Sequence, residues 1–159
     1  MSSIVIDTNP LAYIYNAVPD LGEKYAVLLE ELAGKNTLVI PKIVYGELSL
    51  LFYDSEELNT FICDTGIVIG EIESDTYIIA AKRWEKYNRK RILMCHRCGK
   101  KIEKLICRDC NYEIKIRQHI LSDFIIGAYA IQSGAQKIVT HDTGYYSTYF
   151  PELDIISIQ

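Results

Sequence analysis

Four acidic residues stand in otherwise apolar stretches of the sequence. Asp7 directly follows the apolar run Ile4–Ile6, and Asp142 comes two residues after another such run, whereas Glu47 and Asp123 lie inside segments with helical apolar spacing. Asp7 alone could cap a helix and Asp142 could begin a turn. Glu47 and Asp123 have no Lys or Arg within four positions, and carboxylates are rarely buried without a partner. The four acids together therefore predict a shared site.

The chemistry of such a site follows from its ligand type. Carboxylates that converge without basic partners suit hard divalent cations, here Mg²⁺ or Mn²⁺. A bound cation of this kind can generate a nucleophile from water and stabilise the in-line displacement of a phosphodiester. In an open parallel sheet, the ends of the strands and the helices that follow them meet at one edge. We expect Asp7, Glu47, Asp123 and Asp142 to meet there.

Four of the five cysteines form two CxxC pairs, at Cys95 and Cys98 and at Cys107 and Cys110. Two thiolates two residues apart can chelate one metal ion, and two such pairs predict a tetrahedral structural Zn²⁺ site. The alternative is a pair of disulfides, which is typical of secreted chains. Cys63 stands in an apolar run and is predicted to be a small buried hydrophobe.

The charge of the chain is unevenly distributed. Residues 82–117 contain 13 Lys and Arg against 4 Asp and Glu, a balance of +9, whereas the rest of the chain carries −13 and the whole −4. A basic segment on an acidic body favours a polyanion-binding element, although a solvated charged face is the simpler alternative. The candidate RNA-binding residues are Arg89, Lys90, Arg91, Arg97, Lys100, Lys101 and Lys104.

The elements that must position these residues alternate along the chain. Short apolar runs predict five strands, at Ser3–Ile6, Thr37–Ile40, Gly66–Ile69, Lys137–Thr140 and Asp154–Ser157. Helices are predicted over residues 9–17, 22–34, 42–53, 55–63, 74–91, 118–133 and 143–150. Such alternation predicts a three-layer α/β/α fold around a parallel sheet of about five strands. Residues 92–116 are predicted to be a zinc ribbon inserted into a host formed by 1–91 and 117–159.

Length and composition agree with one globular domain plus a small insert. The chain has 159 residues, of which 49% are apolar and 24% charged, which excludes disordered and low-complexity classes. The sequence contains no apolar run long enough to span a bilayer, and its first residues do not resemble a secretory signal. We therefore expect a soluble, cytoplasmic protein without membrane association.

The order of these motifs resembles that of PIN-domain endoribonucleases, in the segments Ile4–Asn9, the helix of Glu47, Ser122–Ala130, Ile138–Asp142 and Tyr149–Leu153. The resemblance covers essentially the whole host. It implies that Asp7, Glu47, Asp123 and Asp142 bind Mg²⁺ or Mn²⁺, with Asn9 and Thr140 as polar helpers. His141 departs from the small or polar residue more usual there.

The inserted ribbon is the larger departure, because ordinary toxin-type members lack it. A PIN domain with a zinc ribbon is also similar to ribosome-maturation endonucleases, in which the ribbon follows the domain. The resemblance thus implies single-stranded or ribosomal RNA as substrate, an antitoxin or a ribosomal particle as partner, and a homodimer as one assembly.

Three functions compete on the sequence alone. The leading hypothesis is a metal-dependent endoribonuclease whose basic ribbon assists the binding of single-stranded RNA. The second is a catalytically inactive PIN-like module that binds RNA or protein. The third, a nucleotide-binding α/β domain, is disfavoured because Asp7-Thr8-Asn9-Pro10 stands where a glycine-rich phosphate loop would follow the first strand.

Overall fold

A computed structural model describes residues 2–94, 100–114, 116 and 118–158. Within these ranges no helix is long and apolar enough to cross a bilayer. The described residues form seven helices: α1 (Thr8–Tyr15), α2 (Leu21–Ala33), α3 (Lys42–Leu48), α4 (Ser55–Asp64), α5 (Ser74–Arg89), α6 (Leu121–Gln132) and α7 (Thr143–Tyr149). The strands are β1 (Ser2–Ile6), β2 (Asn36–Pro41), β3 (Val68–Gly70), β4 (Leu93–Met94), β5 (Lys101–Ile102), β6 (Lys137–Val139) and β7 (Asp154–Ile156).

The main sheet is parallel and has the strand order β3-β2-β1-β6-β7. This confirms the predicted α/β fold with a central sheet of five parallel strands. The central strand β1 pairs with β2 on one side and with β6 on the other, and its residues Ile4, Val5 and Ile6 are at most 1% exposed. The strand order reverses at β1, so a crevice opens between the ends of β1 and β6.

Helix α6 lies in the hydrophobic core. Helix α6 is buried from Phe124 to Ala130, because the sheet, α5 and α7 surround it. Aromatic rings pack around the start of α6, where Phe124 contacts Tyr87, Tyr145 and Phe150. Close packing of this kind fixes the first turn of α6, and with it Asp123, relative to the sheet.

Two predicted helices are shorter in the structure, one at its C-terminal end and the other at its N-terminal end. The helix expected over 42–53 ends at Leu48, because the amides of Leu50 and Leu51 bond to carbonyls three residues back and the Ser49 hydroxyl donates to the Gly46 carbonyl. The helix expected over 118–133 begins at Leu121. Its start is set by the Asp123 carboxylate, which accepts the backbone N–H of Ile120 at 2.8 Å.

The inserted segment forms a separate two-stranded sheet. Strands β4 and β5 pair antiparallel, with Leu93 opposite Ile102, and a second antiparallel bridge joins Ile106 to Glu113. The main sheet contains none of these residues. The prediction for Cys63 is wrong: the residue is exposed because it lies on the solvent face of α4, where its neighbour Ile62 takes the buried position.

Candidate active site

Three of the four predicted acids lie at helix N-termini. Asp7 is the N-cap of α1, Asp142 is the N-cap of α7, and Asp123 lies in the first turn of α6. Unpaired backbone N–H groups and the helix dipole make such positions favourable for negative charge. The fold therefore tolerates three nearby carboxylates without a basic side chain between them.

Hydrogen bonds hold these acids in place. The fully buried Thr140 hydroxyl donates to Asp7 Oδ2 at 2.7 Å and accepts the Asp142 backbone N–H at 3.0 Å, so one side chain links both acids. Asp142 Oδ1 also accepts the N–H of Tyr145. The fourth acid, Glu47, comes from α3, and its Oε2 accepts the hydroxyl of Thr8 in the first turn of α1.

These residues line one pocket of about 210 Å³ at the crevice between β1 and β6. All four predicted acids and Asn9 are present in its wall, while Thr140 stands behind Asp7. Three further residues line the pocket that were not predicted from the sequence, namely Thr8, Tyr145 and Tyr146. The two tyrosines are each 1% exposed; their signal was the spacing from Asp142, which places them one turn into the helix that it caps.

The pocket is electrostatically unfavourable for its own acids. Burial, together with the charges of Asp123 and Glu47, raises the pKa of Asp7 from 3.8 to about 7, although the hydrogen bonds from Thr140 and the Thr8 amide act in the opposite direction. Burial and the charges of Asp123, Asp7 and Asp142 also hold the pKa of Tyr145 far above its ordinary value, so its hydroxyl stays protonated. A cation in the pocket would relieve this repulsion.

The donor set fits a hard divalent cation, although it is not gathered around one point. Among the described residues, no three His, Cys, Asp or Glu side chains lie close enough together to hold one metal ion. The hydrogen bonds among these residues engage one carboxylate oxygen each of Glu47, Asp123 and Asp142, so the second oxygen can bind a ligand. The buried Tyr145 hydroxyl has no hydrogen-bond partner in the described part of the chain.

Two histidines flank the pocket with different surroundings. His141 Nδ1 lies 3.0 Å from the Tyr25 hydroxyl, and its exposed ring meets Tyr13 edge to face. His119 stacks on Tyr145 at 4.1 Å between ring centroids, and its Nδ1 lies 3.7 Å from Asp123 Oδ2. His119 thus connects the end of the insert to the acidic pocket.

Only half of the predicted zinc site falls within the described residues, since Cys95 and Cys98 lie outside them. Cys107 and Cys110 are both free thiols. A tight turn joins them, in which Asn111 has a positive φ of 55° and its N–H bonds to the Cys107 carbonyl. Backbone N–H groups of Cys110 and Asp109 lower the pKa of the Cys107 thiol, as metal-binding knuckles require.

The candidate RNA-binding residues surround the junction of α5 and the insert. Arg89, Lys90, Lys100, Lys101 and Lys104 are exposed, and Arg91 is half-buried. Arg89 also forms an ion pair with Glu85 on the same helix. Arg97 lies outside the described residues.

The family model described as the PIN domain matches residues 4–151. The chain therefore belongs to the PIN domain family. No curated protein matches it in sequence.

Solved structures with the same fold come from bacterial VapBC and VapC proteins. VapBC2 from Rickettsia felis, bound to a DNA fragment from the promoter, has a TM-score of 0.65 and 18% identity, with 99% of each chain covered. VapC20 from Mycobacterium tuberculosis, a toxin that cleaves the sarcin-ricin loop, has a TM-score of 0.53 and 16% identity, covering 94% of this chain and 98% of that one. DNA-bound VapBC from Salmonella typhimurium has a TM-score of 0.57 and 13% identity, covering 99% and 98%.

Proposed function

We propose that this protein is a divalent-metal-dependent endoribonuclease that hydrolyses phosphodiester bonds in single-stranded RNA. The observation that carries the proposal is the single pocket lined by Asp7, Glu47, Asp123 and Asp142 at the switch point of the sheet. Membership of the PIN domain family supports a metal-dependent nuclease. The RNA-cleaving toxin among the structural neighbours supports RNA as the substrate.

The four acids would hold Mg²⁺ or Mn²⁺, which supplies Lewis-acid activation of water and stabilisation of charge on the phosphodiester. Thr140 orients Asp7 and the backbone of Asp142, while Thr8 orients Glu47. Asn9, exposed at the start of α1, offers an amide to a phosphate oxygen. Tyr145 and Tyr146 form the apolar wall of the pocket and limit the access of bulk water to it.

We also propose that residues 92–116 are an inserted zinc ribbon that helps to bind RNA. The turn at Cys107 and Cys110, and the strand pairing on either side of each CxxC pair, support a structural Zn²⁺ with Cys95 and Cys98 as the other ligands. The host, 1–91 with 117–159, has its full sheet without the insert. The cations of the junction would hold phosphates that the acidic body repels.

The proposed biological role is that of a toxin with an antitoxin partner. A groove of about 500 Å³ supports this partner, because Tyr15, Phe52 and Phe61 line it together with five other residues, four of them acidic: Asp54, Glu56, Glu57 and Asp64. Such a groove suits a basic amphipathic segment. A role in ribosomal RNA maturation, with a ribosomal particle as partner, is the competing role, and a homodimer is a further proposed assembly. The proposed location of this activity is the cytoplasm.

One observation favours a second candidate, a catalytically inactive PIN module that binds RNA or protein. The acids line one pocket, yet no three acid, histidine or cysteine side chains of the described residues stand close enough together for one metal ion. The two functions differ in whether a cation draws the carboxylates together.

A labelled single-stranded RNA, incubated with Mn²⁺, with Mg²⁺ or with Ca²⁺, separates the two candidates. The nuclease cleaves with Mn²⁺ or Mg²⁺, and cleavage disappears in the Asp123→Asn variant. RNA that stays intact under every condition, while still bound, establishes the binding module instead.

A further inference from the structure

A second cavity, of about 300 Å³, lies between the last turn of α5 and the insert. Asn88, Arg89 and Arg91 form its host side, and residues of the insert form the rest. It shares no lining residue with the acidic pocket. Its volume is at the lower end of the range for small-ligand sites.

The lining of this cavity combines three kinds of group. Apolar side chains form its walls, among them Ile102 and Ile114, which remain 39% and 43% exposed. The cations are Arg89, Arg91 and Lys104, and the anions are Glu103 and Glu113. The described residues provide no ion-pair partner for either glutamate within 4.0 Å.

We infer that this cavity is a subsite for one unpaired nucleotide of the RNA strand, with the base against the isoleucines and the flanking phosphates on the cations. A nucleobase has two apolar faces and N–H donors on its edge, and unpaired bases are recognised by stacking and by hydrogen bonds to that edge. The apolar walls suit the faces and the two carboxylates suit the donors. A bare phosphate would use neither feature, and an acidic peptide would meet the glutamates unfavourably.

A chain of contacts runs from the end of α5, beside this cavity, to the acidic pocket. Tyr87 precedes the cavity residue Asn88, and its buried hydroxyl accepts the backbone N–H groups of Gln118 at 3.1 Å and of His119 at 3.3 Å. His119 in turn lies beside Asp123. Tyr87 and His119 thus link the end of α5, which lines the cavity, to the acidic pocket. A strand with its scissile phosphate at the acids would bring a neighbouring nucleotide to the insert. The inference rests on the proposed RNA-cleaving function.

Oligoribonucleotides with a single abasic position test the inference by binding alone. Fluorescence anisotropy with Ca²⁺ in place of Mg²⁺, and without a chelator that would remove zinc, reports affinity independently of cleavage. A set of labelled octamers, each abasic at one position, should lose about tenfold in affinity at one or two adjacent positions and little elsewhere. Ile114→Ser should remove that positional dependence, whereas Val27→Ser, at an exposed valine of α2, should retain it.

A second variant tests the cavity without a change in side-chain size, in case Ile114→Ser misfolds the insert. Glu103→Gln combined with Glu113→Gln keeps the shape of the cavity and changes its donor and acceptor pattern, so selectivity among A, C, G and U at the sensitive position should change at least threefold. Glu30→Gln on α2 is the matched control.

Two outcomes would overturn the subsite. One is wild-type protein that binds and cleaves RNA with equal tolerance of abasic sites at every position. The other is a set of cavity variants that leave RNA binding unchanged but weaken a protein complex, which would assign the cavity to a peptide. Failure of the proposed function is distinguishable from both, since the wild-type protein would then leave RNA intact with Mn²⁺ and with Mg²⁺, whereas the abasic series in Ca²⁺ reports on binding alone.

Discussion

The acidic pocket and the insert differ in the interactions that stabilise their structures. The pocket is built on β1 and β6 at the centre of the sheet, and its acids are held by helix N-termini and by the buried Thr140. The described part of the insert has two paired residues in each strand and one isolated bridge. A pocket held by a packed core persists without its ligand, whereas a small hairpin unit without a core depends on bound metal. We therefore predict that a substitution in one region reduces the activity of that region and leaves the other region intact.

The largest expected effect is on catalysis at the pocket. Asp123→Asn should lower the rate of Mn²⁺-dependent cleavage by about 100-fold or more, because it removes a ligand charge from the cation. Asp64→Asn, at an exposed acid at the end of α4, is the control. RNA affinity through the insert should stay within about twofold in both variants. A parallel loss of RNA affinity in Asp123→Asn would break the separation of the two regions.

The next largest effect is expected on stability, from the loss of the buried Thr140 hydroxyl. Thr140→Val removes the donor to Asp7 and the acceptor for the Asp142 amide. Leaving such groups unsatisfied costs roughly 2 kcal/mol of unfolding free energy. Urea denaturation measures this loss, with Thr60→Val on the exposed face of α4 as the matched control. An unchanged midpoint would mean that water replaces the hydroxyl and that the pocket is less rigid than its hydrogen bonds indicate.

Removal of the thiols of the insert should change zinc content and RNA affinity but not the stability of the host. Cys107→Ser with Cys110→Ser should release bound zinc, reduce RNA affinity about tenfold near 100 mM salt and make its salt dependence shallower, because fewer cations are held on one surface. Cys63→Ser should change none of these. The main thermal transition should stay in place, as the main sheet is complete without the insert. A lower melting temperature of the host would show that the insert supports the fold.

The last expected effect is confined to metal-free buffer and is a stability difference that depends on pH. Since burial raises the pKa of Asp7 from 3.8 to about 7, the folded state favours the neutral acid. That contribution is fully present below pH 3.8 and is lost as the pH rises through about 7. In buffer freed of divalent metal by resin, Asp7→Asn should therefore melt at the wild-type temperature near pH 4 and a few °C higher at pH 8. Equal melting temperatures at pH 8 would mean that the pocket is hydrated enough to accept the charge.

The sequence was most informative where one physical effect dominated. Strands buried on both faces must be apolar throughout, so β1, β2 and β6 were predicted close to their observed bounds. The acids stood out because a carboxylate in an apolar stretch needs a reason. The end of α3 was not predicted, because Leu50 and Leu51 continue the apolar pattern although the chain turns and leaves Leu50 85% exposed. Apolar spacing does not reveal such a turn.

The walls of the two cavities were less predictable than their charged groups. No prediction was made for Tyr145 and Tyr146, because their burial follows from contacts with Phe124 and Phe150, which is a tertiary effect. Cys63 was predicted to be buried because its neighbours are apolar, whereas the buried residues of α4 are Leu58 and Ile62, with Phe61 partly buried beside them. The apolar walls of the insert cavity come from residues too far apart in sequence for any local pattern to join them.

The hydroxyl of Tyr87 has a consequence for how this protein can change over evolution. It receives the chain where the insert ends, through the amides of Gln118 and His119, so the host rather than the insert sets the direction in which α6 begins. We therefore expect a change in the length or composition of the preceding segment to leave Asp123 in place. An insert of different sequence could then replace this one, in evolution or in the laboratory, while the start of the neighbouring helix stays unchanged.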